Sequence, residues 1–179
     1  VTLYAQAVIS GEQQAGRLVR LACARHLEDL DNGSARGLSF DETAAQHAID
    51  FFSLLTLSEG EHAGKPFHLQ PWQKFIVGSI FGWLGPDGYR RFRLAYIEVG
   101  KGNGKSPMAA GIGLYCLLAD YEEGAEVYAA ATTRDQARIS FNDAVHMVEA
   151  SPALKKRLEI LQHNISYSAT NSFFRPISS

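Results

Sequence analysis

A chain of 179 residues with 46% hydrophobic and 20% charged residues can form one substantial domain, or a core domain with a helical attachment; this composition excludes a disordered or fibrous protein. The formal net charge of −2 excludes a global basic field, so contacts with nucleic acid must come from local patches or from parts outside this chain.

Cys23 and Cys116 lie in apolar helical patterns, which favours buried, reduced thiols. Without an apolar run that could span a bilayer or a signal-peptide pattern at Val1, the sequence predicts a soluble, cytoplasmic protein with no membrane partner.

The first sixty or so residues predict a helical extension. Apolar residues recur at three- and four-residue steps on both sides of His26, and the pattern breaks at residues 32–34 (Asn-Gly-Ser). Ser39 and Glu42 have the spacing of a capping box, so we expect a second helix to begin directly after Ser39 and to end near residues 58–60. We interpret His26 as a hydrogen-bonded core or boundary residue, because no histidine or cysteine lies at metal-ligand spacing from it.

A third helix and a strand are predicted in the middle of the chain. Pro71 suits the first turn of a helix, and apolar residues follow at helical spacing as far as Trp83. Residues 85–88 (Gly-Pro-Asp-Gly) predict a turn, and residues 90–99, rich in aromatic and β-branched side chains, predict a strand. A glycine-rich loop follows this predicted strand.

Helices and strands alternate after the loop. The patterns predict a helix over residues 108–119, a strand over 126–131 and a long helix over 134–149. From Pro152 onward they predict a short basic helix and a hairpin around residues 165–177. This alternation is typical of a parallel sheet covered by helices. The predicted fold class is therefore α/β with a helical N-terminal extension.

The strongest chemical signal is residues 99–106 (Val-Gly-Lys-Gly-Asn-Gly-Lys-Ser), between the predicted strand and the predicted helix. Glycines allow backbone N–H groups to converge on a triphosphate, and the start of the helix adds the positive end of its dipole. Lys105 would reach the β- and γ-phosphates, and the Ser106 hydroxyl would bind Mg²⁺. The candidate ATP-binding residues in this loop are Gly100, Gly102, Asn103, Gly104, Lys105 and Ser106.

The loop departs from the usual phosphate-loop pattern at its first position. The pattern begins with glycine, whereas this chain has Val99 there and Gly100 one place later. The alternative interpretation is a glycine-rich turn that happens to contain Gly-Lys-Ser. The flanking elements and Lys101 favour a nucleotide site, and Pro107 is compatible because proline is tolerated in the first turn of a helix.

Acidic residues for ATP hydrolysis are not evident in the sequence. No Asp or Glu follows Glu159, and residues 117–123 are interpreted as the charged end of the loop helix because too few residues separate them from Lys105 for a helix and a returning strand. We therefore expect the catalytic acids beyond Ser179. The core is predicted to be incomplete at its C-terminus, and this chain alone is expected to hydrolyse ATP slowly or not at all.

Four segments, in order, carry a family likeness. Residues 69–73 (Leu-Gln-Pro-Trp-Gln) resemble the adenine-binding segment of large terminase subunits, and residues 101–106 resemble their variant phosphate loop. Residues 130–137 resemble the segment after their second core strand, and residues 20–30 resemble the start of that family. The chain thus resembles the N-terminal ATPase part of the terminase large subunits of tailed phages.

This resemblance implies a P-loop NTPase core of RecA-like fold over residues 63–179, with the helical extension over residues 1–62. It also implies that ATP and Mg²⁺ drive double-stranded DNA into a procapsid in the cytoplasm of an infected bacterial host. The expected partners are DNA, the small terminase subunit, the portal protein and further copies in a ring. A C-terminal nuclease domain belongs to the family pattern and is absent from this sequence.

The resemblance also assigns roles to individual residues. Gln73 matches the glutamine that reads the adenine edge, with Gln70 as the second candidate, and Lys101 matches a basic residue that contacts the triphosphate and joins Lys105 as a catalytic candidate. Arg134 and Gln136 either sense nucleotide or DNA at the edge of the sheet or cap the helix that they open.

Two other classes remain open from the sequence. One is a different P-loop enzyme, such as a helicase or a small-molecule kinase, although no acceptor pocket or lid for a kinase is evident. The other is a nucleotide-binding assembly module that never hydrolyses ATP. The basic clusters at residues 90–93 and 155–157 either contact DNA phosphates or form solvated faces.

Overall fold

The computed structural model describes residues 1–57 and 63–178, except for the side chain of Arg134. The predicted end of the second helix at residues 58–60 and the predicted boundary after residue 62 lie outside this description. Within the described ranges, no helix combines the length and the apolar character that a membrane crossing requires.

The chain folds as two compact units that differ from the predicted division at residue 62. The first unit contains Val1–Asp50 and Leu69–Ile97, and the second contains Phe51–His68 and Glu98–Ser179. Residues 69–97 belong to the first unit because their helix packs against the first helix of the chain and their short strand pairs with an N-terminal strand.

The first unit is mainly helical. Its elements are α1 (Thr2–Ser10), α2 (Arg17–Asn32), β1 (Ser39–Phe40), α3 (Glu42–Phe51), α4 (Pro71–Gly82) and β2 (Trp83–Leu84). Strands β1 and β2 pair antiparallel. The predicted break after α2 is confirmed by a 3₁₀ turn over Gly33–Arg36, and the predicted helix that begins at Pro71 is confirmed as α4.

The predicted capping box at the start of α3 is wrong. Ser39 lies in β1, opposite Leu84, and the carboxylate of Asp41 instead accepts a hydrogen bond from the Ala44 backbone N–H at 2.9 Å. The Asp41 backbone N–H in turn donates to the Gly82 carbonyl at 2.8 Å. Pairing with β2 thus draws the preceding residues into a strand, and the helix begins at the next residue able to cap it.

His26 lies in the core of the first unit, as predicted. It is 3% exposed, its Nδ1 accepts a hydrogen bond from Trp83 Nε1 at 3.0 Å, and its Nε2 lies 3.1 Å from the Thr2 hydroxyl. Because Nδ1 is the acceptor, the neutral ring carries its proton on Nε2. The rings of Phe40, Phe75 and Trp83 surround the imidazole edge-on, with centroids 5.2 to 5.7 Å away.

This environment predicts a pH-dependent stability for the first unit. Burial lowers the pKa of His26 from 6.5 to about 4, although Asp29 opposes the shift. The unfolded chain therefore binds a proton more readily, so the contribution to stability is complete above pH 6.5 and is lost as the pH falls towards 4. We expect a loss of roughly 3 kcal/mol, at about 1.4 kcal/mol per pKa unit.

Urea unfolding between pH 4 and 7.5 would measure this loss. His26→Phe should lose this part of the pH dependence, since it removes the titrating group and keeps an aromatic ring. Equal slopes of stability against pH in the two proteins would contradict the assignment to His26.

The second unit contains the glycine-rich loop of residues 99–106 and a mixed sheet. Its elements are α5 (Lys105–Leu118), β3 (Glu126–Ala131), α6 (Arg134–Ala150), α7 (Pro152–Lys155), β4 (Glu159–Ile160), β5 (Ile165–Tyr167) and β6 (Ser172–Ser178). The strands lie in the order β3, β6, β5, β4; β3 and β6 run parallel, and the other pairs run antiparallel. The predicted helices, the strand β3 and the β5–β6 hairpin are confirmed.

The predicted strand over residues 90–99 is not formed. Within the described ranges, this segment makes a single isolated bridge, between Arg90 and Leu84. The side chains of Leu94 and Tyr96 are 89% and 83% exposed. Strand propensity records how well side chains fit a pleated surface, but a ladder also needs a neighbouring strand, and the described neighbour of β3 is β6. The predicted parallel sheet is therefore corrected to a mixed sheet, in which β3 and β6 are the parallel pair.

Two glycines let α5 pack closely against its neighbours in the second unit. A Cβ atom added at Gly111 would lie 2.3 Å from the ring of Phe52, and one at Gly113 would lie 2.7 Å from the ring of Phe174. Both rings are buried. The missing side chains at these two positions therefore allow α5 to lie close to both rings.

Candidate nucleotide-binding site

The glycine loop leads directly into the start of α5. Gly102 and Gly104 have φ angles of +84° and +72°, a left-handed conformation that glycine adopts without strain. Gly104 is the N-cap of α5, and Lys105 is the first helical residue. A Cβ atom added at Gly102 would meet nothing within 4 Å, so its backbone conformation, and not crowding, explains why glycine suits this position.

The side chains of the loop fold back on its own backbone. The Lys105 ammonium is exposed and donates to the Val99 carbonyl at 2.5 Å, six residues earlier. The Asn103 amide donates to the carbonyls of Gly100 and Lys101 at 3.2 and 3.4 Å. The loop is therefore a turn whose two ends are joined by the hydrogen bond from the Lys105 ammonium to the Val99 carbonyl.

This arrangement has the chemistry of an anion site. The first backbone N–H groups of α5 have no acceptor within the helix, and the dipole of the helix adds positive potential at the same end. The Ser106 hydroxyl lies in the same first turn and is a hard oxygen donor of the kind Mg²⁺ accepts. The loop residues thus fit a triphosphate with its magnesium ion.

Acidic residues do not gather into a metal site in the part of the chain that the structure describes, where no group of three or more His, Cys, Asp or Glu side chains could hold an ion. Helix α5 ends at Leu118, and residues 120–123 follow it in a loop before β3. The interpretation is therefore right for residues 117 and 118, which end the helix, but wrong for the acidic residues, which lie in the loop after it.

Gln70 and Gln73 form a cap at the start of α4. Gln70 is the N-cap, and the Gln73 side-chain oxygen accepts its backbone N–H at 2.8 Å. Gln73 is 3% exposed, whereas Gln70 is exposed. Sequence reasoning missed this structural role, because glutamine is an uncommon N-cap residue and only the spacing of three residues signals the pair. The adenine-reading role of either residue stays a prediction.

The start of α6 is capped by a different residue from those proposed. The Thr133 hydroxyl accepts the Gln136 backbone N–H at 3.3 Å, and the Gln136 side-chain oxygen accepts the Thr132 hydroxyl at 3.0 Å. The proposed role of Arg134 concerns a side chain outside the described part of the structure. The Gln136 side chain is thus engaged locally.

The basic cluster at residues 90–93 is partly neutralised. Arg91 donates to Asp29 at 2.5 Å, and Arg93 donates to Asp87 at 2.7 Å. These pairs reduce the positive charge that the cluster presents. In contrast, residues 155–157 are exposed after the start of α7.

Comparisons with known proteins identify the family of the chain. Residues 71–179 match the family described as terminase large subunit, ATPase domain, so the chain belongs to that family. It is 30% identical over 142 residues to the terminase large subunit of Enterobacteria phage HK97, an alignment that covers 73% of this chain and 27% of that protein. The crystal structure of the HK97 bacteriophage large terminase matches 75% of this chain with a TM-score of 0.64 and 25% identity.

These matches confirm the family resemblance found in the sequence and an α/β fold. The chain spans about 27% of the length of the relatives that it matches.

Proposed function

We propose that this chain is the ATP-binding part of a motor that packages viral double-stranded DNA into a procapsid, and that the full-length protein hydrolyses ATP. The observation that carries the proposal is the loop over residues 99–106, where left-handed glycines lead into a helix that begins with an exposed lysine. Membership of the terminase ATPase family supports the same conclusion.

In the proposed site, the backbone of the loop holds the phosphates and Lys105 neutralises the β- and γ-phosphate oxygens. Lys101, exposed on the same loop, is a second cation for the triphosphate. Ser106 would supply one oxygen to Mg²⁺, which when bound offsets charge on the phosphates. On binding, the Lys105 ammonium would exchange its hydrogen bond to the Val99 carbonyl for hydrogen bonds to phosphate oxygens. The loop therefore already holds this ammonium beside the proposed phosphate position.

The proposed partners follow from family membership. They are double-stranded DNA, the small terminase subunit, the portal protein of the procapsid and further copies of the protein in a ring, all in the cytoplasm of the infected bacterial host.

Base selectivity tests the proposal, with Gln73 as the proposed adenine reader. A glutamine amide can donate to N7 of adenine and accept from its N6 amino group, whereas guanine presents O6 instead. We expect Gln73→Ala to weaken ATP binding more than GTP binding, by on the order of 1 to 3 kcal/mol. Competition binding with both nucleotides measures the preference.

Gln70→Ala is the matched variant, because it alters the other member of the same cap. Thermal unfolding of both variants separates loss of the cap from loss of base recognition, since a damaged cap alone would weaken ATP and GTP equally. If neither substitution narrows the ATP preference, the adenine-reading role is wrong. If the wild-type protein binds neither nucleotide, the proposed function itself is wrong.

A further inference from the structure

A cleft of about 330 Å³ lies in the second unit, and none of the described residues that line it belongs to the glycine loop. It is lined by Arg138, Phe141, Asn142, Gln162, His163 and Pro176. The first three share one face of α6 at helical spacing, the next two belong to the β4–β5 turn, and Pro176 lies in β6.

The topology places this cleft at the edge of the sheet where the parallel strands β3 and β6 end. Strands β3 and β6 are parallel, so their carboxyl ends share one edge, and α6 begins just after β3 ends. The antiparallel register of β5 against β6, with Ile165 opposite Phe174, carries the β4–β5 turn towards the same edge. Open α/β sheets bind their ligands at the carboxyl ends of parallel strands.

The charge in the cleft is positive and uncompensated. Arg138 is half-buried, and within the described part of the chain it has neither a hydrogen bond nor an ion pair. Its guanidinium is always charged, and no carboxylate is among the described residues that line the cleft. A partly desolvated arginine without a partner is costly unless a ligand supplies the acceptor. The amides of Asn142 and Gln162 and the ring of His163 add further donors.

The shape and chemistry favour a phosphate group as that acceptor. The arginine fork matches two phosphate oxygens. Phe141, 5% exposed, and Pro176 give the cleft an apolar wall on which a sugar could lie. We propose that this cleft binds a phosphate group and that the DNA backbone supplies it, an inference that rests on the proposed function for the presence of DNA.

The test uses the full-length protein and a labelled DNA duplex without sequence preference. Arg138→Gln should weaken DNA binding by roughly tenfold, as loss of a hydrogen bond to a charged group implies. It should also make the slope of log affinity against log salt shallower by about 0.9, the value for one phosphate contact. Arg138→Lys should retain the slope, because it keeps the charge. Arg17→Gln, an exposed arginine of the first unit, is the control for a change of charge alone.

The outcomes distinguish this inference from the proposed function. Unchanged affinity and salt slope in a folded Arg138→Gln protein would overturn the cleft assignment and leave the proposed function intact. A loss of affinity for a fluorescent ATP analogue, with DNA binding unchanged, would overturn DNA as the source and assign the phosphate to a nucleotide. A wild-type protein that binds ATP but not DNA would overturn both the DNA part of the proposed function and this inference.

Discussion

Lys105→Ala is expected to abolish measurable triphosphate binding, with an affinity lower by about 100-fold or more, while the fold stays intact. Lys105 is the first residue of α5, and its exposed ammonium donates a hydrogen bond to the backbone carbonyl of Val99. Each hydrogen bond from a charged group contributes about 1.5 to 3 kcal/mol, and the ammonium would serve more than one phosphate oxygen. Its removal leaves no buried group without a partner, so unfolding should change little. Titration of a fluorescent ATP analogue into the full-length protein measures the loss.

Two lysines serve as comparisons for this experiment. Lys101→Ala removes the other cation of the loop and should give a smaller loss, because Lys101 lies before the helix start. Lys156→Ala, an exposed lysine just after α7, should leave the affinity unchanged. If Lys105→Ala also leaves the affinity unchanged, residues 99–106 are not a phosphate loop.

Asp29→Ala is expected to destabilise the first unit by about 3 kcal/mol, towards the lower limit for breaking a buried ion pair. The Asp29 side chain is 2% exposed and accepts hydrogen bonds from Arg36 and Arg91. The Arg91 side chain is 17% exposed and stacks over the Trp83 ring at 5.3 Å, so it would keep a partly buried charge without its partner. Because the Arg36 side chain is 54% exposed, its loss of a partner should cost little.

Asp87→Ala is the matched control, since it breaks the ion pair with Arg93, in which both side chains are largely exposed. Urea unfolding should show a loss of at most about 1 kcal/mol for this variant. Burial raises the pKa of Asp29, but hydrogen bonds from Arg36 and Arg91 outweigh that effect and hold its pKa below the usual value. This stabilisation is therefore present at neutral pH and is lost as the pH falls through the folded pKa. If Asp29→Ala and Asp87→Ala lower the free energy of unfolding equally, burial of Asp29 does not strengthen its ion pairs.

The elements predicted well are those whose signals are local. Helix α4 begins at Pro71 as expected, because proline suits the first turn, and β3 covers Glu126–Ala131, the range predicted for it. The glycine loop before α5 could also be predicted from the sequence. Residues 102 and 104 have left-handed backbone angles in the structure, and glycine is the residue that adopts such angles without strain. Propensity, capping and turn chemistry act over a few residues, so a single sequence records them.

The features that sequence reasoning missed or placed wrongly depend on distant partners. Residues 90–99 have strand propensity, yet no ladder forms there in the described chain, because a ladder requires a neighbour that local pattern does not specify. The sequence predicts Ser39 as a helix cap, but Ser39 pairs with Leu84 in a strand, and Asp41 caps the helix instead.

The sequence by itself determined the local helices, the turns, the glycine loop and, through ordered motifs, the terminase family. Only the tertiary structure decided that Asp29 meets Arg91, 62 residues away, and that Arg138 and His163 line one cleft. The physical reason is that charge pairs and clefts form where separate elements pack, and the alignment of those elements depends on the whole fold.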